Sequence, residues 1–436
     1  NRIFHLFERN VPAMNTVTRK QIANGVYFNA VDDTRFKTGR ISVTMFVPLL
    51  EDVASANALL PQVLTRSCEK YPDFISLNSH LNALYGASVA AFCRKMGETQ
   101  ALTISAAGLD DRFTMGGESV SVELTALLCE MLFRPKLENG AFCREDVEQE
   151  RRQMVDMIDA EYNDKRTYAL GRCIEVMCAN ETFGIKRYGT KQQVQALSAK
   201  DVYSAWERVL QTARVEIMAI GSFDKQAACT VFEKAFAGVD RAPVQMQTQI
   251  IRTVKEVKTE TEKMDVAQSK LVMAFRSGIA EPDLDVMAAR MMCAVLGGTP
   301  HSKFFLNVRE KYSLCYYCAA RFDRNKGIIT VESGVENENI EKARKEIENQ
   351  ICLLQNGELS DFEMQATKMS VANSFQTMAD SVSGTEAWYI SQMLDRQVLT
   401  PQQAAEKINA VTRQQVIDAA KKMTLDTVYI LTGGKD

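Results

Sequence analysis

The chain has 436 residues, of which 46% are hydrophobic and 25% are charged, and its formal net charge is −3. A chain of this size can bury two or three cores, and it lacks the large basic field typical of nucleic-acid-binding proteins. Residues 1–10 contain no apolar run that could serve as a signal peptide, and the longest apolar stretch, 124–133, is too short to span a bilayer. We therefore expect a globular protein with neither nucleic acid nor a membrane as partner.

The first half of the chain predicts alternating strands and helices. The predicted elements are a strand at 41–46, a helix at 57–67, a second helix ending near Tyr85, a strand pair at 89–95 and 100–106, and a closing helix and strand at 197–221. Because proline is tolerated in the first turn of a helix and not in its interior, Pro61 predicts that the first helix begins near Asn57.

The same order of elements returns in the second half at an offset of 227 residues, the separation of Tyr85 from Tyr312. The matching elements are a strand at 270–275, a helix at 283–296, a strand pair at 316–322 and 327–333, and a closing helix and strand at 411–433. A fixed-offset repeat of this length indicates a duplicated domain. Strands interleaved with amphipathic helices predict an α+β sandwich in each half, with a mostly antiparallel sheet and helices packed on one face.

A polar, charge-rich segment separates the two copies. Residues 240–264 contain Pro243, several Gln and Thr, and a Lys/Glu-rich run, a composition typical of a linker. The sequence therefore predicts a first half at 1–239, a linker at 240–264 and a second half at 265–436.

The eleven cysteines, an odd number scattered over a long chain, predict free thiols in a reducing compartment, and hence a cytoplasmic protein. Cys315 and Cys318 lie three residues apart on a predicted strand. Alternate residues of a strand point to opposite faces, so we expect these two sulfurs to lie apart and to be structural.

The most informative motif follows the Gly297-Gly298 pair. Arg309 is followed seven residues later by Tyr316, within a Val-Arg-Glu-Lys-x-x-Leu-x-Tyr segment. Together with the duplicated halves and their closing helices, this run resembles the insulinase (pitrilysin, inverzincin) family over essentially the whole chain. The resemblance implies that Arg309 and Tyr316 grip the carbonyl of a peptide substrate. The neighbouring Tyr317 is the alternative holder of the tyrosine role, or a core residue.

The other half of the family's active site is a zinc helix reading His-x-x-Glu-His, which this chain lacks. Of the three histidines, His5, His80 and His301, none has a Glu and a second His at helical spacing. Alignment on the Tyr-Pro turn at 71–72 places Ala58, Pro61 and Gln62 where the family carries His, Glu and His.

The third zinc ligand of the family, a Glu on a later helix, is expected within residues 150–158. The register points to Met157, with Asp156 one step away, and a lone Asp would not hold the metal. Alanine and proline side chains offer no donor atom for zinc, and glutamine is a poor ligand. The resemblance thus implies that this chain holds no cofactor and that zinc belongs to a partner chain.

Within the family, the chain is most similar to the catalytically silent member of paired bacterial insulinase-like proteins. One such pair is associated with aminopentanol modification of elongation factor P, and relatives process modified peptides and bacteriocins. The resemblance implies a non-catalytic subunit of a heteromeric zinc endopeptidase, facing a homologous chain that carries His-x-x-Glu-His across a closed chamber, with self-association possible when that chain is absent. The alternative is a non-enzymatic module that uses the same clamshell to hold a peptide or a partner.

Overall fold

A computed structural model describes residues 16–222 and 224–433; His5 and the N-terminal segment 1–10 lie outside the described residues. The first unit contains a six-stranded sheet in the order β1-β2-β8-β3-β5-β4. Its strands are β1 (Thr18–Ala23), β2 (Val26–Val31), β3 (Thr38–Pro48), β4 (Ser88–Met96), β5 (Thr99–Leu109), the short pair β6 (Leu137–Glu138) and β7 (Ala141–Phe142), and β8 (Arg214–Ile220). Its helices are α1 (Ala54–Leu64), α2 (Phe74–Ala83), α3 (Val120–Phe133), α4 (Arg144–Asn163), α5 (Lys165–Met177), α6 (Lys191–Ala196), α7 (Ala199–Thr212) and α8 (Lys225–Phe236).

The second unit contains a five-stranded sheet in the order β11-β12-β10-β13-β9. Its strands are β9 (Lys258–Met264), β10 (Ser269–Arg276), β11 (Cys315–Asp323), β12 (Ile328–Val335) and β13 (Thr424–Gly433). Its helices are α9 (Val286–Gly297), a π-helix (Phe304–Lys311), α10 (Ile340–Gln355), α11 (Asp361–Thr377), α12 (Val382–Ile390), α13 (Pro401–Ala410) and α14 (Arg413–Lys422).

The two sheets share one pairing scheme. In each, the closing strand, β8 or β13, lies antiparallel to the first long strand, β3 or β10, and parallel to its other neighbour, β2 or β9. The long strand then pairs antiparallel with β5 or β12, which pairs with the edge strand β4 or β11. The predicted α+β class with antiparallel-rich sheets and packed helices is confirmed.

Each sheet also receives a helix from the other unit. Helix α5 of the first unit packs on β10 and β13, where Ala169 and Cys173 meet Val272 and Tyr429 in one buried cluster. Helix α12 of the second unit packs on β3 and β8. Because both faces of the second sheet are covered, its strand β12 is buried at every position, including the polar residues Thr330, Glu332 and Ser333. The predicted helical layer covers one face, and the exchanged helices close the other.

Helix α1 begins at Ala54, not near Asn57 as predicted, so Pro61 lies in its interior. A proline there removes a backbone hydrogen bond and costs about 3 kcal/mol. The prediction was wrong because tertiary packing outweighs that cost: Leu59 and Leu60 are fully buried, and nearly every residue of α1 faces the core.

The second sheet takes its outer strand from the segment predicted as linker. Strand β9, at Lys258–Met264, pairs in parallel with β13. Its side chains alternate between more and less exposed positions, and several are charged, which suits an edge strand because charge discourages pairing with other chains. The sequence predicted a linker here because a polar edge strand buries little apolar surface.

Candidate functional site

The π-helix Phe304–Lys311 positions Arg309 in its last turn. Phe304 and Val308 are fully buried and anchor this helix on the core, whereas Arg309 is exposed. The amide of Tyr312 donates to the carbonyl of Asn307, five residues earlier, so the helix is wider than an α-helix at its end. π-Helical turns of this kind are frequent at functional sites.

The chain reverses direction immediately after this helix. Ser313 adopts φ +49°, a left-handed conformation that is uncommon for a residue with a side chain, and it connects the helix to β11. Strand β11 then carries a β-bulge: Cys315 pairs with Val335 and Tyr317 with Gly334, so Tyr316 is the extra residue. Bulges re-aim side chains, and here Tyr316 points away from the core with 61% of its surface exposed.

Arg309 and Tyr316 line the same open pocket, which the turn and the bulge create at the start of β11. Its volume is about 420 Å³, and its lining residues are Arg309, Glu310, Ser313, Leu314, Cys315, Tyr316, Glu336 and Asn339. The structure therefore brings the two predicted residues together, and their role in binding substrate remains a prediction.

Three contacts position the two side chains: a hydrogen bond made by Tyr316, and a ring contact and an ion pair made by Arg309. The Tyr316 hydroxyl donates to Glu336 Oε1 over 2.8 Å. That hydrogen bond and the charge of Glu336 raise the pKa of Tyr316, so the phenol remains a protonated donor at neutral pH. The Arg309 guanidinium carbon lies 4.7 Å from the centroid of the Phe305 ring, and its Nε lies 3.5 Å from Glu310 Oε1.

Glu336 was not among the predicted site residues, although the sequence contained a signal for it. It directly follows β12, and the predicted antiparallel pairing of the last two strands of the repeat brings the end of one beside the start of the other. A polar residue just after β12 must therefore lie near Tyr316.

Tyr317 lies outside the pocket. Its ring packs under the Arg166 guanidinium, 4.3 Å from the guanidinium carbon to the ring centroid, and Arg166 is held by Glu332. Burial raises the pKa of Tyr317 to about 12. A Cβ on Gly334 would lie 2.6 Å from the Tyr317 ring, so this contact requires a glycine. Tyr317 thus joins α5 of the first unit to the second sheet.

Cys315 and Cys318 do lie together, contrary to the prediction. The extra residue in the bulge shifts the alternation by one, so both thiols are buried on the same side of β11. The Cys318 thiol donates to Cys315 and, with Ser333 and Arg309, lowers the pKa of Cys315 despite burial. Burial raises the pKa of Cys318 well above its ordinary value, and the hydrogen bond to Cys315 adds to this. Both cysteines are free.

The positions aligned with the family's zinc helix lie on α1. Ala58 and Pro61 are buried, and the Oε1 atom of Gln62 is buried without a hydrogen-bond partner. Within residues 16–222 and 224–433, no group of three or more His, Cys, Asp or Glu side chains is arranged to hold a metal ion. The residues present do not fit a zinc ion, because two of the three offer no donor atom.

Helix α4, expected to carry the third ligand, makes an ion-pair network instead. Arg66, just beyond α1, binds Asp146 Oδ1 at 2.8 Å and Glu150 Oε1 at 2.9 Å. Burial raises the pKa of Glu150, with Arg66 opposing that shift. Met157, the register position of the lost ligand, is 37% exposed. These charges now join α1 to α4.

A duplicated sandwich with the Arg309–Tyr316 pocket, and with no cluster of metal-binding side chains in the described part of the chain, defines a metallopeptidase-like protein. The family model described as "Peptidase M16 inactive domain" matches residues 196–371. The "probable inactive metalloprotease YmfF" of Bacillus subtilis is 30% identical over 409 residues, which are 94% of this chain and 96% of that protein. The chain therefore belongs to the peptidase M16, or insulinase, family, among its non-catalytic members.

Two further relatives extend the comparison. The "antilisterial bacteriocin subtilosin biosynthesis protein AlbE" of Bacillus subtilis is 20% identical over 291 residues, covering 66% of this chain and 72% of its own. A crystal structure of a conserved protein from Enterococcus faecalis superimposes with a TM-score of 0.89 at 24% identity, covering 96% of this chain and 99% of that one. In the described part of this chain, no helix has the length and apolarity needed to cross a membrane.

Proposed function

We propose that this chain is the non-catalytic subunit of a heteromeric insulinase-like zinc endopeptidase. It contributes Arg309 and Tyr316 for binding of a peptide substrate and one half of the proteolytic chamber. The partner is a homologous chain that carries His-x-x-Glu-His and the zinc ion. The observation that carries the proposal is that two residues seven positions apart line one pocket while the metal-binding side chains are absent.

The chemistry of peptide hydrolysis explains why Arg309 and Tyr316 would be useful in a chain that binds no metal itself. Negative charge develops on the carbonyl oxygen in the transition state, and donors already aimed at that oxygen stabilise it more than the ground state. Arg309 offers the N–H donors of its guanidinium, and Tyr316 keeps its proton because the pKa of its hydroxyl is raised. A scaffold without a substrate would need neither donor.

The names of the relatives support a role in peptide processing. YmfF is described as a probable inactive metalloprotease, and AlbE as a bacteriocin biosynthesis protein. We propose that this chain and its zinc-bearing partner assemble in the cytoplasm. All eleven cysteines are free, and free thiols are typical of a reducing compartment. When the zinc-bearing chain is absent, this chain can pair with itself.

Co-expression with the homologous zinc-bearing chain of the same bacterium tests the proposal. Size-exclusion chromatography should show a one-to-one complex, and peptidase activity should require both chains. Separate elution of the two proteins, with the zinc-bearing chain fully active alone, would contradict the pairing. If the complex forms but its peptidase activity is unchanged when Arg309 and Tyr316 are replaced, the result would instead favour the alternative function, a peptide-binding or assembly module.

A further inference from the structure

The Tyr316 hydroxyl has one proton, and that proton is already donated to Glu336. A carbonyl oxygen that enters the pocket can take this hydrogen bond only if the hydroxyl turns away from Glu336. The carboxylate then loses its donor. Because Tyr316 and Glu336 are both exposed, water can replace the donor in the empty pocket, but a bound peptide that covers Glu336 must supply one itself.

The charges around the pocket define what that donor should be. Two carboxylates, Glu310 and Glu336, line it together with a single cationic side chain, Arg309. Arg309 lies nearest to Glu310 and stacks on Phe305. Among the pocket-lining side chains, Glu336 therefore has no cation of its own.

We infer that Glu336 selects peptides that place a cationic group, an ammonium or a guanidinium, beside the carbonyl bound by Tyr316. This inference rests on the proposed function and names its substrate class. In the empty pocket, the Tyr316 hydroxyl donates a hydrogen bond to Glu336. When a basic peptide binds, its cationic group pairs with Glu336, and the Tyr316 hydroxyl donates to the peptide carbonyl instead. A neutral peptide can offer Glu336 only an uncharged N–H or O–H donor, and a hydrogen bond between a carboxylate and a cationic donor is stronger. The cation can come from a Lys or Arg side chain or from a free N-terminus.

Fluorescence anisotropy with the full chain and C-terminally labelled hexapeptides tests the inference. Three versions share one sequence: an N-acetylated peptide with a central Lys, the same peptide with norleucine in place of Lys, and the norleucine peptide with a free N-terminus. The Lys peptide should bind about fivefold more tightly than its acetylated norleucine counterpart, the effect of one partly exposed ion pair. The third peptide shows whether an N-terminal ammonium serves equally well.

Glu336→Gln separates charge from geometry, since the amide oxygen still accepts from Tyr316. This variant should bind the Lys and norleucine peptides equally. Glu338→Gln is the matched control, because Glu338 is exposed and close in sequence but does not line the pocket, and it should keep the preference.

The outcomes distinguish this inference from the proposed function. Equal binding of the Lys and norleucine peptides to the unmodified chain, or a preference retained in Glu336→Gln, would overturn the inference. If Tyr316→Phe still weakens both peptides in that case, the pocket binds peptides without selecting cations and the proposed function survives. No binding of any peptide would count against both.

Discussion

The Lys326 ammonium lies 2.6 Å from Glu98 Oε1 and joins the two hairpin turns that the sequence repeat matches to each other. Glu98 belongs to the turn between β4 and β5, and Lys326 to the turn between β11 and β12. A Cβ on Gly97 would lie 3.3 Å from the Asn325 side chain, so the turns touch. Equivalent elements of the two units thus meet through a buried ion pair.

We predict that Lys326→Met strongly destabilises the protein. The Lys326 side chain is fully buried and also binds Glu181 at 2.7 Å and the Gln249 carbonyl at 2.5 Å. Removing one member of a buried ion-pair network leaves uncompensated charge and costs about 3–5 kcal/mol. Urea unfolding followed by circular dichroism measures the change.

Lys422→Met is the control for this prediction. Lys422 pairs with Asp285 at 2.8 Å, but both side chains are about half exposed. Exposed pairs contribute about 0–1 kcal/mol, so this variant should unfold close to the unmodified midpoint. Equal midpoints for the two variants would show that the contact between the turns is not a source of stability.

In the assembled complex, Arg309→Ala or Tyr316→Phe should lower kcat on the order of 10²-fold, the usual cost of losing one donor to a developing oxyanion. Neither residue is a metal ligand, so assembly and the zinc content of the partner should be unchanged. Steady-state peptidase kinetics, with metal analysis of the same samples, provide the measurement.

Tyr317→Phe is the internal control for these kinetics, since Tyr317 packs against Arg166 outside the pocket and should leave kcat nearly unchanged. Unaltered turnover in the Arg309→Ala, Tyr316→Phe double variant would show that these two residues are surface residues without a role in catalysis.

The isolated chain should bind no stoichiometric zinc and cleave no peptide, because Ala58 and Pro61 provide no donor atom and Gln62 is a poor ligand. Elemental analysis of protein prepared without chelators, with and without added zinc, checks this. One zinc per chain, removable with loss of peptidase activity, would refute the assignment of a degenerate site.

Cys315 should react with iodoacetamide faster than Cys318 in the folded protein. The thiolate is the reactive form, and the hydrogen bond from Cys318 lowers the pKa of Cys315, with Ser333 and Arg309 acting in the same direction. Since the pKa is lowered, the rate at Cys315 should rise with pH and reach half its maximum below pH 9.0, the ordinary thiol value. Cys318, with its raised pKa, should remain protonated over that range.

Trypsin leaves both cysteines on one peptide, residues 312–321, so fragmentation of that peptide by tandem mass spectrometry distinguishes the two sites, with exposed Cys352 as the reference thiol. Arg309→Ala should shift the Cys315 profile to higher pH, because it removes a nearby positive charge. Labelling of Cys318 as fast as Cys315 would contradict the proposed arrangement of the thiols.

The sequence by itself determined the features that depend on residue identity and on spacing along the chain. The 227-residue repeat predicted two similar units, and the Arg309–Tyr316 motif identified the family. The prediction that α1 binds no zinc followed from Ala58 and Pro61 alone, since a side chain without a donor atom cannot bind a metal in any fold. None of these conclusions requires knowledge of which elements pack against each other in the folded chain.

The tertiary structure decided the features that depend on a partner distant in sequence. Whether Cys315 and Cys318 share a face depends on a bulge, and a bulge exists only relative to the strand it pairs with. The position of Pro61 inside α1 and the exchange of α5 and α12 depend on how much apolar surface the other unit buries. Local patterns define the elements, but the free energy of long-range packing decides where they begin and which faces meet.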